Sequence, residues 1–255
     1  MRILKSFIIA VSMYSKIPVP QFAWKEEDMK YIFCFFPWIG AWIGLGIYFW
    51  NYVCDVYQVG ALCRMTVELA LPFLITGGIH VDGFMDTMDA VHSYRSKEQK
   101  LEILKDSHIG AFAVIMLVTY GLLISGMLSE IKNHALLKIV CGGFFLSRCL
   151  CGISAVSFPL AKTDGMLYHF VDTSHKRIVR GVLYLQSAVC IGFMMYCDFL
   201  SGFFTVTAAL FSLLFYFYYS RKEFGGITGD TAGFFLVFCE GCMITVAACM
   251  NILRF

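Results

Sequence analysis

The sequence predicts an all-α, polytopic helical membrane protein, with about seven transmembrane helices and an N-terminal interfacial helix, on three observations. The composition is 59% hydrophobic and only 15% charged, with a mean hydropathy of +0.72. That leaves too little polar surface for a dissolved chain of 255 residues. The apolar residues run in blocks of roughly twenty, the length of a helix across a bilayer core. Backbone inside hydrocarbon must satisfy its own hydrogen bonds, and the alternating pattern of a barrel strand is absent from the sequence, so the blocks are helices.

The elements follow in order. Arg2 and Lys5 ahead of the apolar run 7–11 imitate a signal peptide, but the run is too short and Ser12-Met13-Tyr14-Ser15-Lys16 offers no small-residue cleavage site. An amphipathic helix lying in the membrane interface fits better, stopped by Pro18 and Pro20. Seven spans then cover 31–53, 61–79, 109–128, 135–158, 181–197, 202–220 and 232–253, the fifth being short and containing Gln186. Ser96 with Gln99 makes a capping box, and Leu101, Ile103 and Leu104 give the helix behind it an apolar stripe. There is no internal repeat and no low-complexity linker, so residues 1–255 read as one integral membrane domain.

Charge sets the orientation. Fifteen of the 20 Lys and Arg fall before the first span or in alternate loops after it, all on one side if there are seven spans. Such a side is normally cytoplasmic, which places the N-terminus inside a bacterial inner or plasma membrane and the C-terminus outside. The long loops and every candidate motif lie on that same side, so an active site there faces the cytoplasm. A formal net charge of +2 gives no reason to expect a nucleic-acid partner. Of the 11 cysteines, Cys239 and Cys242 have a metal-site spacing, but they lie inside a span beside Phe and Val and read as small hydrophobes.

The chemistry concentrates in Gly77-Gly78-Ile79-His80-Val81-Asp82-Gly83-Phe84-Met85-Asp86-Thr87-Met88-Asp89. Asp82, Asp86 and Asp89 are spaced i, i+4 and i+7, which puts them within an arc of roughly 60° on one helix face. Three such carboxylates repel one another unless a cation neutralises them. Hard oxygen ligands suit Mg²⁺ or Mn²⁺, which also hold substrate phosphates. A solvated acidic helix end is the plainer reading, but it does not explain the single-face spacing beside a span. Asp106, arriving with His108 at the start of the third span, is a candidate fourth ligand.

Gly225-Gly226-Ile227-Thr228-Gly229-Asp230-Thr231 precedes the last span; it reads either as a phosphate-approaching turn or as an ordinary turn with an N-cap. Glu68, Arg148 and Glu240 are charges within spans, expected to face the bundle interior and pair. Arg148 either reaches a phosphate or neutralises a glutamate. His80 either orients a carboxylate or acts as a base.

These residues resemble the adenosylcobinamide-GDP ribazoletransferase family, the cobalamin synthases. The likeness runs from Lys16-Ile17-Pro18-Val19-Pro20 and Phe35-Phe36-Pro37-Trp38-Ile39-Gly40 through the aspartate motif from His80 to Asp89 and Asp106-Ser107-His108-Ile109-Gly110-Ala111-Phe112. Ser147-Arg148, the glycine-rich turn ending in Asp230, and Glu240 complete it. Two departures stand out. Ala90-Val91 occupies the place of a common glycine, and Phe158-Pro159-Leu160-Ala161-Lys162 replaces Pro-Tyr-Ala-Arg.

The resemblance implies Mg²⁺-dependent joining of adenosylcobinamide-GDP to α-ribazole or its 5′-phosphate, giving adenosylcobalamin or its phosphate and GMP. Asp82, Asp86 and Asp89 would be catalytic and, with Asp106, hold the metal. His80, Arg148, Thr228 and Asp230 would contact substrate. Membrane lipid surrounds the bundle, and a homo-oligomer is compatible with the sequence. A CDP-alcohol phosphotransferase would need Asp-Gly-x-x-Ala-Arg followed closely by Gly-x-x-x-Asp-x-x-x-Asp, which is missing here: Met85 and Asp86 follow Gly83-Phe84. A divalent-cation transporter would need polar residues on both faces.

Overall fold

The computed structural model describes residues 2–106 and 108–253, so Ser107 of the sequence motif lies outside the described residues. Among the described residues twelve helices make up the fold: α1 (Arg2–Tyr14), α2 (Glu26–Met29), α3 (Ile32–Val56), α4 (Ala61–Thr76), α5 (Ile79–His92), α6 (Lys97–Ile103), α7 (Ala111–Ser129), α8 (His134–Ser157), α9 (Met166–Thr173), α10 (Lys176–Cys197), α11 (Phe199–Phe224) and α12 (Gly229–Ile252). The only extended pairing among the described residues is an isolated parallel bridge, Leu160 to Ile227.

Six helices, α3, α7, α8, α10, α11 and α12, are each long and apolar enough to cross a membrane. The expected second span differs. It is broken: α4 has 16 residues and the chain turns by 97° before α5, so that the two make a seventh span only if the bent pair counts as one. The turn is made by Gly77 and Gly78, whose φ values of 68° and 82° lie in the left-handed region that glycine enters without steric cost. Thr76 secures it by accepting from the Gly78 amide through its hydroxyl at 3.3 Å. Beyond this bend α5 no longer follows the line of the span, and its acidic face is carried sideways across the end of the bundle. The fifth span, α10, begins five residues earlier than expected, at Lys176. Its Gln186 donates to the Cys34 carbonyl at 3.0 Å, while its Oε1 has no partner among the described residues.

The helices begin where the sequence supplies caps. Asn133 caps α8 by accepting from the Ala135 amide at 2.7 Å, and Asp198 caps α11 by accepting from the Ser201 amide at 2.8 Å. The capping box of Ser96 and Gln99 forms as read. At the centre stands α8, buried over 83% of its apolar window, with α3, α10 and α12 packed around it. By contrast α7 is buried over 17% and presents most of its surface to lipid. The amphipathic α1 buries Ser6, Ile9, Ala10 and Val11 against α3 and leaves Ile3 and Leu4 exposed. Lys5 pairs with Asp28 at 3.3 Å, which ties α1 to α2.

The loops segregate by end. At one end the Lys16 amide donates to Ile75, His175 to Lys30, and Ala161 to Ile227. There Lys100 also pairs with Glu223, and Lys162 donates to the Leu101 carbonyl at 3.2 Å. Among the described residues only short turns meet at the other end, as where Asn251 donates to the Glu130 carbonyl at 2.8 Å.

Candidate active site

α5 crosses the start of α12 at near-contact of the two backbones. A Cβ built on Gly83 would lie 2.7 Å from the Asp230 carbonyl oxygen, and one on Gly233 would lie 2.7 Å from that of His80. Only small residues permit this approach. It brings Asp230, on the first turn of α12, into the field of Asp82 and Asp86. The carboxyl of Asp86 is pushed up to about 7, first by burial and then by the charges of Asp82, Asp230 and Asp89. The sequence pattern gave three acids on one helix; the fold adds a fourth from the far end of the chain.

Each expected residue has a definite place. The two oxygens of Asp89 accept from the Gly110 amide at 2.6 Å and the Ala113 amide at 2.8 Å, so this carboxylate caps α7 from the neighbouring helix. Asp106 is exposed and accepts from the His108 amide at 3.0 Å, with His108 Nδ1 at 2.6 Å. That histidine holds the Asp106 carboxyl below its ordinary value, and Asp106 is not among the charges acting on Asp86. Thr228 caps α12 by accepting from the Thr231 amide at 3.1 Å, in a capping box with Thr231. Its hydroxyl also lies 3.4 Å from Asp230 Oδ2.

Of the two readings of Arg148, the structure shows the second. Its side chain is 1% exposed and pairs with Glu240 at 2.6 Å, while Ser147 donates to the same carboxylate oxygen at 2.9 Å. Arg148 also donates to the Phe144 carbonyl at 2.8 Å. The other acid within a span, Glu68, accepts from Asn51 at 2.7 Å. Lys162, at the departure from the family pattern, acts electrostatically on Asp230.

His80 is buried, stacked on Tyr14 with ring centroids 6.2 Å apart and edge-on to Phe36 at 5.7 Å. It lines a cavity of about 260 Å³ that Asp82 and Asp230 also line. A second cavity, of about 180 Å³, shares Met166, Leu167, Gly229 and Asp230 with the first and is also lined by Lys162 and Thr228. The sequence reading missed the contribution of α9, whose Met166, Leu167 and Phe170 close the first cavity. Its signal was present, since Met166, Leu167, Phe170 and Val171 repeat at helical spacing after Gly165.

Among the described residues no three His, Cys, Asp or Glu side chains converge closely enough to hold a metal by themselves. Mg²⁺ does not require that. It keeps several waters and is bound through one or two carboxylates together with substrate phosphates. A half-buried carboxyl raised by its burial and by its acidic neighbours fits such a partial site, because a cation would relieve the repulsion.

Fold and site together define a polytopic helical membrane protein with acidic side chains gathered across one end of its bundle. A family model described as cobalamin-5-phosphate synthase matches residues 6–248. The chain is 44% identical over 248 residues to the adenosylcobinamide-GDP ribazoletransferase of Lachnoclostridium phytofermentans, covering 94% of this chain and 92% of that one. Proteins of the same description from Clostridium perfringens and Fusobacterium nucleatum are 32% and 30% identical. They cover 92% and 90% of this chain, and 94% and 92% of their own lengths. This chain belongs to the cobalamin-5-phosphate synthase family. No solved structure matches it.

Proposed function

We propose that this protein joins adenosylcobinamide-GDP to α-ribazole, or to its 5′-phosphate, and releases GMP, at the acids of α5 and the start of α12. The family and the relatives' names support the reaction. The observation that carries the site is that Asp82 of α5 and Asp230 of α12 both act on the Asp86 carboxyl and both line one cavity.

Mg²⁺, held by Asp82 and Asp86 with Asp230 in support, would supply charge neutralisation for the diphosphate and for the departing GMP. The residues do the rest. The start of α12 presents a positive dipole end where the diphosphate would lie. Lys162 adds a cation beside Asp230. The ribazole hydroxyl attacks the phosphorus nearer the cobinamide; the new P–O bond forms as the bond to the GMP oxygen breaks, and the hydroxyl proton passes to a carboxylate of the cluster. We place this end of the bundle in the cytoplasm of a bacterial cell, because the basic residues gather there.

The test is purified protein in liposomes with adenosylcobinamide-GDP, α-ribazole and Mg²⁺, following GMP and corrinoid by chromatography. GMP appearing with a completed cobamide, and abolished by chelator, is the expected result. No turnover by the wild type overturns the reaction, and normal turnover by Asp82→Asn or Asp86→Asn overturns the site. For orientation, Cys63 is exposed at the opposite end. It should react with an impermeant maleimide from outside intact cells; protection there with labelling from inside reverses the topology.

A further inference from the structure

The 260 Å³ cavity beside the acids has walls of a particular kind. Phe33 and Phe36 from α3 and Phe170 from α9 line it, each no more than 5% exposed. Tyr14 from α1 packs on Phe36 with centroids 4.4 Å apart, and Ala155 and Leu236 complete the apolar surface. Its charged side chains are Asp82 and Asp230. Its size falls below the roughly 300–1,000 Å³ of a pocket that takes a whole drug-sized ligand. It therefore admits one bicyclic ring system and excludes a corrin.

From this geometry we infer that the cavity is the seat of the acceptor's heteroaromatic base, with Phe33, Phe36 and Phe170 setting which bases the enzyme accepts. The inference rests on the reaction proposed above. Of the ring systems in that reaction, guanine carries polar atoms around most of its edge, and these would go unpaired against phenylalanine walls. A benzimidazole has none outside its ring, and once bonded to ribose it leaves a single ring nitrogen free. His80 matches that requirement, since it lines the cavity and its Nε2 has no hydrogen-bond partner among the described residues. Aromatic walls favour such a base by stacked and edge-on contacts. With the base seated there, the attached ribose emerges beside Asp82 and Asp230, where its hydroxyl has to react.

The experiment compares wild type, Ala155→Leu and Phe170→Leu. Ala155→Leu fills the cavity, and Phe170→Leu removes one aromatic wall on a short peripheral helix, so it is the milder change if the first variant does not fold. Steady-state kinetics are measured with donor and acceptor varied separately, and α-ribazole binding without donor is measured by calorimetry. Ala155→Leu should raise the acceptor KM about tenfold or more, in line with the discrimination a hydrophobic pocket achieves per added group, with the donor KM unchanged. Phe170→Leu should narrow the preference for α-ribazole over an adenine-containing acceptor. A rise in donor KM instead, or an unchanged acceptor KM and preference in both variants, overturns the assignment. Wild-type protein that binds α-ribazole, loses that binding in Ala155→Leu, and yet releases no GMP refutes the proposed reaction while leaving the base site standing. Wild-type protein that does not bind α-ribazole overturns the base site itself.

Discussion

Gly83 is the residue through which packing and chemistry meet, and Gly83→Ala tests that link. A Cβ there would lie 2.7 Å from the Asp230 carbonyl oxygen and 2.9 Å from its Cα. Both are backbone atoms that cannot swing aside. Ordinary contact begins near 3.5 Å, so α5 and α12 must separate by roughly 0.8 Å. Overpacking of this kind costs about 1–3 kcal/mol. The larger effect falls on the site, because the same separation moves Asp82 and Asp86 away from Asp230. A misplacement near 1 Å costs about a hundredfold in rate, so we expect turnover to fall between about tenfold and a hundredfold. Thermal unfolding in detergent reports the first effect and GMP release the second. Gly192→Ala is the control, since nothing lies within 4 Å of a Cβ at that position of α10. Wild-type turnover by Gly83→Ala, or an equal loss in both variants, would refute the reasoning.

Three further outcomes follow from the geometry. The carboxyl of Asp86 is pushed up to about 7. Below that pH it is protonated and no longer attracts a cation. Mg²⁺ affinity measured by calorimetry should therefore weaken from pH 8 to pH 6, and a flat response contradicts the site. Glu240→Gln leaves Arg148 charged and buried without its partner, at a cost of about 3–5 kcal/mol. The double variant Arg148→Met with Glu240→Leu should regain most of that, read as the unfolding temperature; no recovery would show that the pair does more than compensate charge. Asp89→Ala removes the acceptor for two α7 amides and should cost about 0.5–2 kcal/mol, while Asp89→Asn, keeping one acceptor oxygen, should retain most of the turnover. Abolished activity in Asp89→Asn would return this residue to the reacting centre.

The bundle was legible because lipid leaves so few choices. Runs of Phe, Leu and Ile near twenty residues long can only be helices, and six of them stand close to where the pattern placed them. The bend after Thr76 was half-visible. The pair Gly77-Gly78 signals a break, but not that the acidic helix turns across the end of the bundle. Within the site, the face shared by Asp82, Asp86 and Asp89 follows from helical periodicity alone. The division of labour among them does not. That Asp89 serves the amides of α7 while Asp230 joins the other two depends on how α5, α7 and α12 cross. Sequence spacing has no access to a contact between residues 83 and 230. The same limit explains Arg148: the need of a buried cation for a partner could be read, but which glutamate would meet it could not.

The Arg148–Glu240 pair has a consequence for how the protein is made. The two residues are separated by 92 positions, so the cation on α8 enters the bilayer well before its counter-ion on α12 has been synthesised. An unpaired arginine at the centre of a membrane helix raises the cost of insertion by about 2.5–3.5 kcal/mol. Through that interval α8 is a reluctant guest, held by its apolar neighbours or resting near the headgroups. The arrival of α12 ends the interval. The same helix delivers Asp230 to the acids of α5, so the step that completes the charge balance of the bundle also completes the candidate site. An unfinished copy, stopped before its last helix, holds its own aspartates ready and has nothing to set against them.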